Sequence, residues 1–95
     1  MRTIVISQRI DQKLDAKHTV TIEEVDQCFD NKCGVNLIDD REDNRTNPPS
    51  LWFIAETNKG RLLKIIYVYR DGKYFLKSAF EPGDADIHTY DSEGK

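Results

Sequence analysis

Residues 51–80 read LWFIAETNKGRLLKIIYVYRDGKYFLKSAF, three apolar runs separated by two short turn signals. The first turn is the NKG of residues 58–60. The second is Asp71-Gly72, a dipeptide typical of two-residue β-hairpins. Runs of this length, rich in β-branched and aromatic residues and bounded by turns, predict an antiparallel meander of three strands. The middle run is apolar in both of its alternation sets, so we expect it to be the central strand, covered on each side.

Two helices are predicted before the meander. Apolar residues recur at steps of four over residues 6–14, which indicates an amphipathic helix that ends near residue 18. Thr21 and Glu24 have the spacing of a capping box, so a second helix begins there. Its apolar stripe consists of Ile22, Val25, Cys28 and Phe29. We expect this helix to end at Asn31 or Gly34.

The remaining segments complete a single domain over residues 1–95. Residues 39–49 have no periodic apolar face and close on two prolines, which predicts a mobile surface loop flanked by short extended pieces. A short helix is expected from Asp84 to about Tyr90, followed by a frayed tail over residues 91–95. The predicted fold class is α+β, with two N-terminal helices packed on a three- to four-stranded antiparallel sheet and a short C-terminal helix.

The side chains of the last strand are predicted to alternate between the two faces of the sheet. We expect one set to lie under the helices: Tyr74, Leu76 and Phe80. The other set is expected on the more open face: Lys73, Phe75, Lys77 and Ala79.

The composition limits the class of protein. The chain has 95 residues, of which 38% are hydrophobic and 33% charged, which excludes a two-domain enzyme and a large cofactor fold. Its apolar runs are too short for a membrane span, and no signal segment opens it, so we expect a cytoplasmic protein. Cys28 and Cys33 have the spacing C-x4-C, which favours free, structural thiols, with metal or redox chemistry as the alternative.

The charge is unevenly distributed along the chain. The formal net charge is −3, yet residues 59–81 carry six basic and two acidic side chains, a net charge of +4. Basic side chains interleaved with aromatic ones suit single-stranded RNA, because cations attract phosphates and aromatic faces stack on bases. The alternative is that these charges only keep the strands soluble. The candidate RNA-binding residues are Lys17, His18, Arg45, Trp52, Tyr67 and Lys73.

One carboxylate is a candidate general base. Glu56 ends an apolar strand beside the turn that delivers Arg61, and Lys64 follows on the next strand. A carboxylate flanked by cations suits proton abstraction from an RNA 2′-hydroxyl while the cations stabilise phosphate charge. The alternative is a cross-strand ion pair without catalytic meaning. The spacing of the histidines and carboxylates predicts no metal site, and we expect no cofactor.

Two short motifs resemble a known family. Residues 17–25 read KHTVTIEEV and resemble the K-H-G-V-x-F-x-E-A segment of the BrnT family, which joins two helices. Residues 76–80 read LKSAF, where that family has a strand ending in I-S-A-R. Near the end, the family has E-R-x-x-Y, whereas this chain keeps Tyr90 and has Ile87 in place of the arginine. The resemblance spans residues 6–90.

The resemblance implies a function and a fold. BrnT proteins are toxins of bacterial toxin–antitoxin pairs and have the RelE/ParE-like ribonuclease fold. It therefore implies a weak, metal-independent ribonuclease, neutralised by an antitoxin protein. Phe80 occupies the position of a family arginine, so Lys64 and Lys77 are the cations expected to compensate. The expected catalytic residues are Glu56, Arg61, Lys64, Lys77 and Tyr90. The alternative function is a non-catalytic RNA- or protein-binding module of the same fold.

Overall fold

The computed structural model describes residues 3–14, 19–32, 34, 36–38 and 49–93. The strands are β1 (Thr3–Val5), β2 (Leu37–Ile38), β3 (Leu51–Glu56), β4 (Leu62–Arg70) and β5 (Lys73–Phe80). The helices are α1 (Gln8–Lys13), α2 (Ile22–Asn31) and α3 (Asp84–Glu93). The five strands form one sheet in the order β1-β5-β4-β3-β2. The α+β class is confirmed, and β4 is the central strand, as its apolar sequence predicts.

The meander folds as predicted, but the sheet is larger and mixed. β3, β4 and β5 pair antiparallel in succession. Asp71 and Gly72 both have positive φ, 54° and 74°, which is the conformation that a type I′ turn requires. The expectation of three to four antiparallel strands is wrong, because β1 pairs in parallel with β5 and β2 pairs with β3. Strands of three and two residues are too short to produce an alternation pattern in the sequence.

The predicted helix signals correspond to real caps. The Ser7 side chain accepts a hydrogen bond from the Ile10 amide and begins α1. Thr21 and Glu24 form the predicted capping box at the start of α2. α2 ends at Asn31, one of the two predicted ends. α3 continues to Glu93, so the first three residues of the expected C-terminal tail belong to a helix. The loop predicted over residues 39–49 lies almost wholly outside the described residues.

A helix packs on each face of the sheet. On one side, the ring of Phe29 in α2 lies 5.0 Å from that of Phe53 and 5.2 Å from that of Tyr67, centroid to centroid. We call this side the α2 face. On the other side, the α3 face, the ring of Tyr90 lies 5.7 Å from that of Trp52. β3 and β4 are therefore buried on both sides, which explains why their sequences are almost continuously apolar.

A β-bulge in β5 changes which side chains share a face. Ile66 pairs with Ser78 and the next residue, Tyr67, pairs with Leu76, so Lys77 is an extra residue on β5. Beyond the bulge the alternation shifts by one residue. Phe80 then pairs with Lys64 on the α3 face, and Ala79 with Ile65 on the α2 face. The expected assignment of Phe80 and Ala79 is wrong for this reason, whereas Tyr74 and Phe75 lie on the expected faces.

Candidate functional site

The basic side chains of the meander fall into two groups, and Arg61 belongs to the group held by carboxylates. Its Nη1 donates to the carbonyl oxygen of Thr19 at 2.8 Å and lies 3.1 Å from Glu24 Oε2. Its Nη2 lies 3.0 Å from Glu81 Oε1. The guanidinium thus connects the start of α2 to the end of β5. These contacts give Arg61 a structural role and leave its charge balanced by two acids.

Lys64 is also held, and it is buried. Only 8% of its surface is exposed, because α3 covers it. Its Nζ lies 2.9 Å from Asp86 Oδ1 and 4.4 Å from the centroid of the Trp52 ring. The aromatic face and the carboxylate together compensate the ammonium for its lost hydration. A phosphate cannot approach Lys64 while α3 stays in place.

The second group of cations surrounds an open part of the sheet. Arg70 and Lys73 are cross-strand partners at the tip of the β4–β5 hairpin, and both are exposed. The Arg70 guanidinium lies over the half-buried Phe75 ring, 4.8 Å from its centroid. Lys77, half-buried, follows on β5, and alternation from Leu76 puts it on the same α3 face. We call these four residues, Arg70, Lys73, Phe75 and Lys77, the basic sheet surface.

Two neighbouring strands extend the basic sheet surface. Val5 of β1 pairs with Phe75, and Val68 of β4 pairs with Phe75 from the other side, which makes an apolar row across three strands. Both valines are half-buried, and Thr3, the partner of Lys73, is exposed. Among the described residues of these strands no carboxylate lies on this face. In the adjoining turn, Asp71 forms an exposed ion pair with Arg70, its Oδ2 lying 3.9 Å from Nε.

The two aromatic residues predicted to stack on bases are buried. Trp52 is 7% exposed on the α3 face, where it lies against Lys64 and Tyr90. Tyr67 is 2% exposed on the α2 face. Burial raises the pKa of Tyr67 to about 12, with smaller contributions from Tyr74 and Tyr90. Neither ring offers a face to solvent on which a base could stack.

Glu56 and Tyr90, two of the expected catalytic residues, line one cleft. The cleft has a volume of about 550 Å³ and lies beside β3, between the end of α2 and the second half of α3. Its lining residues are Asn31, Ile54, Ala55, Glu56, Thr57, Asn58, Leu62, Ile87, Tyr90 and Asp91. We call it the edge cleft. Arg61, Lys64, Lys73 and Lys77 do not line it, so the structure brings the proposed base together with no proposed cation.

Three candidate RNA-binding residues, Lys17, His18 and Arg45, lie outside the described residues. Arg70 and Phe75 belong to the basic sheet surface but are not among the site residues predicted from the sequence. Arg70 stands in the basic meander and Phe75 alternates with Lys73 and Lys77, so their signals were present in the sequence. The contribution of Val5 had no such signal, because it depends on the parallel pairing of β1 with β5.

The thiol of Cys28 is buried between α2 and β3 and has a structural role. Its Sγ donates to the carbonyl oxygen of Ala55 at 3.6 Å, which ties α2 to β3. Burial raises its pKa to about 12, and the neighbouring charge of Glu24 adds to this. The thiolate is therefore disfavoured, as expected for a structural cysteine, and Cys33 lies outside the described residues. Within the described ranges, no three His, Cys, Asp or Glu side chains are grouped so that they could hold a metal ion.

Comparison with family models, curated proteins and solved structures finds no match for this chain. In the part of the chain that the structure describes, no helix is long and apolar enough to cross a membrane.

Proposed function

We propose that this protein is a non-catalytic module that binds single-stranded RNA on the basic sheet surface. The observation that carries the proposal is the grouping of Arg70, Lys73 and Lys77 around Phe75 on one open face. Cations neutralise phosphates, while an aromatic ring or a guanidinium plane stacks on an unpaired base. The pair formed by Arg70 and Phe75 supplies both kinds of plane within 4.8 Å.

The rest of the molecule favours this face over others. α2 and α3 each contain four carboxylates and neither contains a lysine or arginine, so their exposed surfaces repel a polyanion. Arg61 and Lys64, which a ribonuclease of this type would use to stabilise phosphate charge, are already paired with acids. Binding without cleavage therefore suits the arrangement better than catalysis.

The fold assignment implied by the BrnT resemblance also enters as a proposal. What supports it is that two helices precede the antiparallel meander and one helix follows it, although β1 and β2 are additions to the expected arrangement. Under that proposal the ancestral ribonuclease site has lost its free cations, and the sheet retains an affinity for RNA.

A matched pair of charge reversals tests the proposed function. Lys73→Glu alters the basic sheet surface, and Lys59→Glu makes the same change of charge in the exposed turn after β3. We expect Lys73→Glu to weaken binding of a fluorescein-labelled single-stranded decamer about tenfold, and Lys59→Glu to change it less than twofold. Anisotropy titrations of both variants give the result, and circular dichroism checks the fold. Equal effects of the two variants, or no binding by the parent chain, contradict the proposal.

A toxin that cleaves RNA is the second candidate, because Glu56 and Tyr90 line the same cleft. In that case expression arrests growth of the host, and Glu56→Gln relieves the arrest. The non-catalytic proposal predicts that the decamer stays intact after prolonged incubation with either protein. Electrophoresis of the RNA separates the two candidates.

A further inference from the structure

α3 covers a part of the sheet that continues the basic sheet surface. Alternate side chains of β4 lie on the α3 face: Lys64, Ile66, Val68 and Arg70. Along this row Lys64 is about 13 Å from Val68, which borders the basic sheet surface. Trp52 pairs with Ile66 and lies on the same face. The basic sheet surface and the covered pair of Lys64 and Trp52 are therefore two parts of one sheet face.

The contacts of α3 with this covered pair are of the kinds that an RNA strand makes. Asp86 Oδ1 is an anionic oxygen and lies 2.9 Å from Lys64 Nζ, as a phosphate oxygen does at a lysine. The ring of Tyr90 lies against that of Trp52, 5.7 Å from centroid to centroid, on the residue where a base could stack. α3 also has four carboxylates and no lysine or arginine. In charge and in ring contact, α3 thus resembles a bound strand.

Few side chains attach α3 to the sheet. Within α3, all of which the structure describes, only Tyr90 is buried. Ile87 is partly buried against the core, and the side chain of Asp86 is one-third exposed. Residues 81–83 join β5 to α3, and Glu81 is held by an ion pair, so α3 can leave the sheet while β5 stays in place. An element with so few buried contacts is among the first to open locally.

Release of α3 uncovers a larger cationic and aromatic surface. The Lys64 ammonium and the Asp86 carboxylate both regain water when α3 leaves, which offsets part of the lost burial of Tyr90. Trp52 then presents a ring to solvent, and Lys64 joins the three cations of the basic sheet surface on one face. We call this arrangement the open form, and the one in which α3 covers Lys64 the closed form.

We propose that α3 is an autoinhibitory helix that covers an extension of the RNA site, in which Lys64 binds a phosphate and Trp52 stacks on a base. This inference rests on the proposed function, because it extends the same site along the same face. In the closed form, RNA reaches only the basic sheet surface. The open form adds one cation and one ring, so RNA binds it more tightly, and any change that loosens α3 raises the affinity for RNA.

A matched pair of variants of the full chain tests the inference. Asp86→Asn removes the carboxylate that faces Lys64, whereas Asp84→Asn removes the same charge from an exposed position in the first turn of α3. We expect Asp86→Asn to bind the labelled single-stranded decamer about fivefold more tightly, with a salt slope steeper by about 0.7, because one more phosphate is neutralised. Asp84→Asn is expected to change the affinity by less than about twofold.

The release of α3 can be measured separately from RNA binding. Trp52 is the only tryptophan of the chain, so quenching of its fluorescence by acrylamide reports on the cover provided by α3. This quenching is expected to increase in Asp86→Asn, and the decamer is expected to quench Trp52 in that variant by stacking. Ile87→Ala loosens α3 without a change of charge and is expected to have the same effects. It also serves as the test variant if circular dichroism shows that Asp86→Asn does not fold.

The inference is overturned if acrylamide quenching increases in Asp86→Asn or Ile87→Ala but the affinity for the decamer does not. Equal gains in Asp86→Asn and Asp84→Asn also overturn it, since they show an effect of net charge alone. The same holds if neither Asp86→Asn nor Ile87→Ala increases the quenching. In each of these cases, binding by the parent chain that Lys73→Glu weakens still supports the proposed function. Absence of binding by every chain removes both proposals, and binding by the loosened variants alone supports the inference but contradicts binding on the closed form.

Discussion

The charge of Lys64 holds α3 against the sheet and, while α3 is in place, is not available to a ligand. Its ammonium lies 2.9 Å from Asp86 and 4.4 Å from the Trp52 ring centroid, under α3. If Asp86 is removed, the buried ammonium keeps its contacts with the Trp52 and Phe80 rings but has lost the carboxylate. If Lys64 is removed, the carboxylate of Asp86 is one-third exposed and can be hydrated by water. Removal of Asp86 should therefore destabilise the fold more than removal of Lys64.

We expect Asp86→Ala to lower the free energy of unfolding by about 2 kcal/mol, because a buried charge loses its partner. Lys64→Met retains the apolar contacts with Trp52 and Phe80 and is expected to cost less than about 1 kcal/mol. Urea denaturation followed by tryptophan fluorescence measures both. Equal losses in the two variants mean that the aromatic contacts, and not the ion pair, fix Lys64.

Glu24, at the start of α2, is expected to make the free energy of unfolding depend on pH in the acid range. Burial raises the pKa of its carboxyl, but the hydrogen bonds from Thr21 and Arg61 and the charge of Arg61 outweigh this effect, and the pKa is lowered overall. A carboxyl with a lower pKa in the folded state contributes stability above its unfolded pKa and loses it as the pH falls through the folded pKa. The unfolded value is about 4.3.

We therefore expect the free energy of unfolding of the parent chain to fall as the pH is lowered below about 4.3, and that of Glu24→Gln to fall less. Urea midpoints between pH 6 and pH 3 measure the difference. Glu23→Gln is the matched control, since the Glu23 side chain is exposed in the same helical turn. If the pH dependence of Glu24→Gln equals that of the parent chain, the contact between Glu24 and Arg61 does not stabilise the fold.

Among the helices, strands and turns, the sequence predicted those that depend on contacts between residues close in the chain. The capping box of Thr21 and Glu24, the Asp71-Gly72 turn and the three meander strands each depend on residues close in sequence. The parallel pairing of β1 with β5 joins residues about seventy positions apart. Because β1 has only three residues, its sequence is too short to show an alternation pattern that would predict this pairing. The bulge at Lys77 was missed for a related reason, because an extra residue leaves the composition of a strand unchanged.

The composition of the candidate site could be predicted from the sequence, but the pairing of its charged side chains could not. A basic, aromatic meander is visible in the sequence, but which cations are free depends on contacts between distant elements. Arg61 meets Glu24, Glu81 and the backbone of Thr19, and Lys64 meets Asp86 of a helix whose position the sequence does not reveal. Only the tertiary structure separates these two held cations from the exposed Lys73 and from Arg70, whose ion pair with Asp71 is long, at 3.9 Å, and exposed.

At the scale of the whole molecule, the proposed interface is a small basic surface on an acidic protein. The chain has a formal net charge of −3, and its acidic helix α3 packs over Trp52 and Lys64 on the same face of the sheet as the basic sheet surface. An RNA strand therefore meets attraction only around Arg70, Lys73 and Lys77. The number of phosphates neutralised should equal the number of these cations, since each can meet one phosphate.

This count fixes the expected salt dependence. Three neutralised phosphates on a single strand correspond to a slope of about −2 for the logarithm of the binding constant against the logarithm of the salt concentration. Titrations of the labelled decamer at several potassium chloride concentrations measure the slope, and Lys73→Glu should make it less steep by at least ~0.7. A slope of about −4 or steeper means that cations outside the basic sheet surface take part. A slope near zero removes phosphate attraction from the proposal, because stacking on Phe75 alone is nearly independent of salt.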